Sequence, residues 1–189
     1  MENTMIPGTV LPWSEFPGGA FTAFLPMIKA ADGLTSAQVC AITGLEYSTV
    51  QNWVKRGFVA HPIKKKYYEK HLARILIISM LRDGLKIDDI GELLRLINGD
   101  ATDESDDMIA ETALYDCLCE VIAAAPPGVN GADLDQQIRG AVSRYTVTGD
   151  TRRLTDALAV MVHAYRASRS KREAERGFAA LKEAAVKEE

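Results

Sequence analysis

Two neighbouring groups of polar side chains have the types and spacing to hold a polyanion. Over residues 48–56, Thr49, Gln51, Asn52, Lys55 and Arg56 fall on one side of a helical period, and Val50, Trp53 and Val54, at i, i+3 and i+4, fall on the other. Amide side chains can hydrogen-bond base edges, and cations suit phosphate oxygens. Shortly after comes His61-Pro62-Ile63-Lys64-Lys65-Lys66-Tyr67-Tyr68, which can close into a tight hairpin. Lys64, Lys65 and Lys66 would approach phosphates while Tyr67 or Tyr68 packs or hydrogen-bonds at the backbone. The plain alternative is the polar outer face of a surface helix followed by a solvated lysine turn.

Charge separates these readings. From Lys55 to Arg74 there are seven cations and one acid, a net +6 in a chain whose total is −4. The remainder therefore carries −10, and a basic island in an acidic protein is a stronger sign of an anionic partner than uniform basicity. Between Asp83 and Glu120, twelve acids stand against Lys86 and Arg95. That half of the molecule would repel a DNA backbone and should face away from it.

Other chemistry is thin. Cys117 and Cys119, two apart on a helix, cannot clamp one ion, and buried structural cysteine is their expected role. His61, His71 and His163 show no ligand spacing, and no nucleophile–base set or glycine-rich phosphate loop is present. The expectation is a non-enzyme without metal or cofactor. The cysteine count (Cys40, Cys117, Cys119) and the absence of an apolar leader fit a reduced, cytoplasmic setting. No stretch reaches the length of apolar sequence that spans a bilayer.

The positioning elements are helical throughout. Thr35 with Gln38, and Ser48 with Gln51, have the form of capping boxes. Gly44 and Gly57 sit where the two short helices should end. Two further helices, from about Glu69 to Arg82 and from Ile87 to Ile97, carry apolar stripes that complete a unit over residues 34–97. Residues 1–33 form a Pro-rich arm with one short helix, whose Trp13, Phe16, Phe21, Phe24, Leu25 and Ile28 need covering by that unit or by a second subunit. Residues 98–107 read as an acidic linker. Residues 108–189 hold three helices, over Met108–Ala125, Asp133–Tyr145 and Thr151 to about Ala185. The last loses its stripe beyond Ser168.

The order helix, turn, helix, hairpin, then a helix leading through Leu81-Arg82-Asp83-Gly84-Leu85 into Ile87-Asp88-Asp89-Ile90 resembles the DNA-binding domain of MerR-type transcriptional regulators. Gln51, Asn52 and Trp53 stand where those regulators have an arginine followed by tyrosines. Lys66 replaces the wing arginine, and Tyr68 and Lys86 occupy capping positions. A closer likeness is to bacterial proteins sharing domain of unknown function 1836, carried by Leu11-Pro12-Trp13, Thr49-Val50-Gln51-Asn52-Trp53-Val54-Lys55-Arg56-Gly57, Pro62-Ile63-Lys64-Lys65-Lys66-Tyr67 and His71-Leu72-Ala73. It extends from Leu11 to about Ile122.

The MerR-like resemblance implies an all-α, winged helix-turn-helix fold and a regulator that binds double-stranded DNA. The helix over 48–56 would read the major groove, and the Lys64–Lys66 wing would touch the backbone. A homodimer through the N-terminal arm or the C-terminal helices is the expected assembly. The acidic helices of one chain would meet Arg166, Arg169, Lys171, Arg172 and Arg176 of another. The second function held open is a helix-turn-helix scaffold used as a protein–protein interaction module.

Overall fold

The computed structural model describes residues 5–12, 19–103 and 105–187. Trp13 and Phe16, expected to be covered, lie outside them. After a 3-10 turn at Ala20–Ala23 the described residues form eight helices: α1 (Leu25–Ala30), α2 (Ser36–Thr43), α3 (Tyr47–Lys55), α4 (Glu69–Leu81), α5 (Ile87–Asn98), α6 (Glu111–Ala124), α7 (Gly131–Val142) and α8 (Thr151–Lys187). The only extended pairings among the described residues are three isolated antiparallel bridges, so the fold is all-α. No helix among them is long and apolar enough to cross a membrane.

Helix α4 organises the rest. Its sequence is apolar nearly all round, and every residue from His71 to Leu81 is buried, which marks a helix enclosed on all sides. It packs on α2 and α5 and, most extensively, on α6 and α8. The side chains of residues 34–97 and those of α6–α8 therefore share one continuous buried cluster. Arg74 sits inside it at 6% exposure, paired with the equally buried Glu111 at 2.6 Å. One of the seven cations of the basic run is thus neutralised in the core.

The arm is folded onto this body. Ile6, Phe21, Phe24 and Ile28 are buried. Phe21 meets Tyr115 edge to face, with centroids 6.0 Å apart. The Tyr115 hydroxyl donates to the Pro7 carbonyl at 2.8 Å, and Asp116 accepts from the Phe21 N–H at 2.7 Å. The apolar surface of these residues is covered by α6 and its neighbours in the same chain.

The expected linker is also corrected at its start. Asn98 ends α5 fully buried; its side chain donates to the Ile109 carbonyl at 2.7 Å and accepts from the Ile109 N–H at 3.3 Å. The acidic segment is therefore a loop clasped at its base. Near the far end, Arg166 donates to the carbonyls of Ala125 and Val129 after α6, and Arg172 lies 3.5 Å from Asp83. Two cations assigned to another subunit are thus engaged within the chain.

Candidate nucleic-acid interface

Helix α2 opens with the expected capping box. The Thr35 hydroxyl accepts from the Gln38 N–H at 3.3 Å, and the Gln38 side chain accepts from the Thr35 N–H at 2.8 Å. It stops at Gly44, whose φ of 68° is open to glycine at little cost. The Ser48–Gln51 box does not form. The N-cap of α3 falls two residues earlier than the box requires, at Glu46 with Tyr47 as the first helical residue, so Ser48 already lies inside the first turn. At the other end Gly57 N–H donates to the Val54 carbonyl and Phe58 N–H to the Trp53 carbonyl, at 3.0 and 2.9 Å. This paired closure needs a left-handed residue, and Gly57 has φ 75°.

The faces of α3 divide as expected, with Val50, Trp53 and Val54 buried. Asn52 and Lys55 are exposed and Thr49 is half-buried. The remaining two predicted residues are engaged within the chain. Gln51 donates its amide to the Tyr67 hydroxyl at 3.3 Å. Arg56 forms an ion pair with Asp88 at the start of α5, and its guanidinium lies 4.6 Å from the centroid of the Phe58 ring. That ring rests on Gly91, where a Cβ would come within 2.5 Å of it.

The hairpin forms at Ile63–Lys66, with reciprocal backbone hydrogen bonds of 3.0 and 2.9 Å. Its two central residues, Lys64 and Lys65, have φ of 48° and 65°. Two successive left-handed residues make the tight turn matched to strand twist, a turn that ordinarily takes Asn and Gly. Here two lysines accept the left-handed conformation instead, and both side chains are exposed. A left-handed conformation costs a side-chain-bearing residue free energy that glycine would not lose. His71 anchors the hairpin from below: its Nδ1 accepts from the Tyr68 N–H at 3.0 Å, and its Nε2 lies 3.2 Å from the His61 carbonyl. This pair of bonds fixes the Nε2–H tautomer.

Lys66 and Tyr67 are corrected as contact residues. The Lys66 ammonium donates to the carbonyls of Ala31 and Gly33 at 2.9 and 3.1 Å, closing the end of α1. Tyr67 is wholly buried, bridged to Leu34 by two 2.8 Å backbone hydrogen bonds. Burial pushes its hydroxyl above the ordinary phenol range, against hydrogen bonds from Ser36 and Gln51 that pull it down.

The predicted residues left without a partner role are the exposed Asn52 and Lys55 and the half-buried Thr49 on α3, and the exposed Lys64 and Lys65 at the hairpin tip. Sequence reasoning missed the open groove of about 710 Å³ between the starts of α2 and α3 and the tip, lined in part by Ser36, Cys40, Glu46, Tyr47 and Lys65. Tyr47, 58% exposed on the first turn of α3, is its aromatic wall. The available signal was an aromatic residue immediately before the expected helix start. Cys117 and Cys119 are buried, and no group of His, Cys, Asp or Glu among the described residues is arranged to hold a metal ion.

Residues 30–118 match the family described as "Domain of unknown function (DUF1836)". The matched segment runs from the end of α1 into α6 and so includes the helix pair, the hairpin and the clasped loop. Over 90 residues the chain is 31% identical to "Uncharacterized protein YkrK" of Bacillus subtilis (strain 168), covering 46% of this chain and 39% of that relative. No solved structure matches.

Proposed function

We propose that the protein is a DNA-binding transcriptional regulator, its α2–α3 pair and hairpin forming a winged helix-turn-helix of the MerR-like kind. On this reading α3 enters the major groove, Asn52 meets base edges, and Lys55, Lys64 and Lys65 meet phosphates. The observation that carries it is the hairpin tip: two exposed lysines held in a left-handed turn beside a helix that offers Asn52 and Lys55 outward.

Lys66 is bound to carbonyls, Tyr67 is buried and Arg56 is paired with Asp88, which reduces the phosphate contacts to about three per chain. Neutralising three phosphates gives log affinity falling with log salt at a slope of about −3 for each bound chain. Fluorescence anisotropy on genomic duplexes across a salt series measures it. Asn52→Ala should then relax base preference at a cost of about 1–3 kcal/mol. No binding at low salt, or binding indifferent to salt, sinks the proposal.

Either outcome would favour the interaction module. Tyr47, 58% exposed in that groove, and Ile63, 53% exposed in the hairpin, support that reading as apolar contact points.

A further inference from the structure

Helix α8 has two apolar faces, and only one of them is covered. It runs for 37 residues, about 55 Å at the usual rise. Leu154, Leu158, Met161, Val162 and Ser168 bury its first half against α4–α7. Among the described residues the last tie to the body is Arg172 on Asp83, and every residue from Glu173 to Ala185 is exposed.

That free segment still carries a pattern. Ala174, Phe178, Leu181 and Ala185 follow one another at steps of four, three and four, the spacing of a two-helix seam. Phe178 and Leu181 are 60% and 70% exposed, among the most exposed large apolar side chains of the chain. The helix is supported internally by Arg169–Glu173 and Lys171–Glu175 pairs and by Lys182 over the Phe178 ring. Such pairs add only a few tenths of a kcal/mol each to a helix that is marginal alone in water.

We infer that residues 171–185 of α8 form an antiparallel two-helix seam with the same segment of a second copy of this chain. The charges beside the stripe choose this occupant and this direction. Glu175 and Lys182 flank the seam on the same side, one heptad apart. In an antiparallel pair with Phe178 set against the partner's Leu181, and Ala174 against the partner's Ala185, Glu175 comes beside the partner's Lys182. Its symmetry mate does the same, so the two-fold axis makes two ion pairs from one. In a parallel pair the opposite flank offers only Ser170, Gly177 and Ala184, and no charge pair forms across the seam. Those small residues also let the two backbones approach. The seam lies outside residues 30–118, and it holds whether or not α3 binds DNA.

Sedimentation equilibrium on the full chain tests the inference. The wild type is expected to be a dimer in the micromolar range, and Phe178→Asp with Leu181→Asp a monomer whose thermal unfolding is unchanged. Glu175→Lys alone should weaken association about tenfold, since two pairs change from attraction to repulsion. Lys182→Glu alone should do likewise. The two reversals combined, or an equimolar mixture of the two single variants, should restore it. A monomeric wild type, or a dimer that survives the double aspartate change, overturns the second copy as occupant and leaves the stripe to a different partner. Failure of the combined reversal to restore association overturns the antiparallel register.

Discussion

Lysines 64, 65 and 66 are adjacent in sequence but differ in what they do. Lys66 donates to two carbonyls that close α1, so Lys66→Ala is expected to cost about 1.5–3 kcal/mol of stability by urea unfolding. Lys64→Ala with Lys65→Ala should cost little stability and remove most of the salt-dependent DNA affinity. Replacing the same two by Asn and Gly should raise stability by about 1–2 kcal/mol, because those residues enter the left-handed region more readily. The sequence held no sign of this division, since the acceptors of Lys66 lie more than thirty residues away in the chain.

The thiols divide in a similar way. Partial burial and then Glu46 raise the half-exposed Cys40 thiol, while deep burial pushes Cys117 up to about 12 and raises Cys119 further. A mild thiol reagent near pH 8 should therefore titrate one cysteine in the native protein and three in denaturant. The raised thiols keep their protons in the folded state after the unfolded chain has lost them. Stability is thus whole below the unfolded thiol range and falls as pH rises above about 9, by about 1.4 kcal/mol per pH unit for each thiol. Urea midpoints across an alkaline series would check the slope.

At the level of elements, helix positions were legible and their termini less so. The apolar periods of α4, α5, α6 and α8 were visible because each buries a continuous stripe. The start of α3 departs from the capping-box expectation because local capping competes with a tertiary bond. Gln51 meets the hydroxyl of Tyr67, a partner that only the folded hairpin brings within reach. Arg74 was counted with the surface charges because nothing within its own helix reveals Glu111 on α6. Burial pushes the Glu111 carboxyl up, and Arg74 opposes that shift. Arg74→Met alone strands a buried carboxylate and should cost about 3–5 kcal/mol, while Arg74→Met with Glu111→Leu should be neutral or stabilising. Chemical denaturation of the two variants separates these outcomes.

For the whole molecule, the unit over 34–97 is expected not to stand alone. Helix α4 is buried on the sides that α6 and α8 cover, so a fragment of those residues would expose Leu72, Ile75, Leu76 and Met80 or their neighbours to water. Such a fragment should lack a cooperative thermal transition by circular dichroism. The chain ended at Ser168 should keep one, with a melting temperature close to that of the full protein. In sequence, the apolar stripes of residues 34–97 read as a complete unit. The enclosure of α4 is a property of the complete helix set, beyond what any window of sequence carries.

The clasp at Asn98 reaches further than the acidic loop it closes. Asn98 grips the backbone of Ile109 from both sides, the Met108 N–H returns to the Ile97 carbonyl at 3.2 Å, and the Thr148 N–H holds the Met108 carbonyl at 2.8 Å. Both stems of the excursion are thereby fixed by bonds that do not depend on its contents, while Asp100, Thr102, Asp103 and Asp106 are exposed. Lengthening a pinned surface loop adds only a slowly growing closure entropy. The segment between Asp100 and Asp106 is accordingly a socket for foreign sequence, into which a fluorescent reporter could be spliced while the helical body retains its melting temperature.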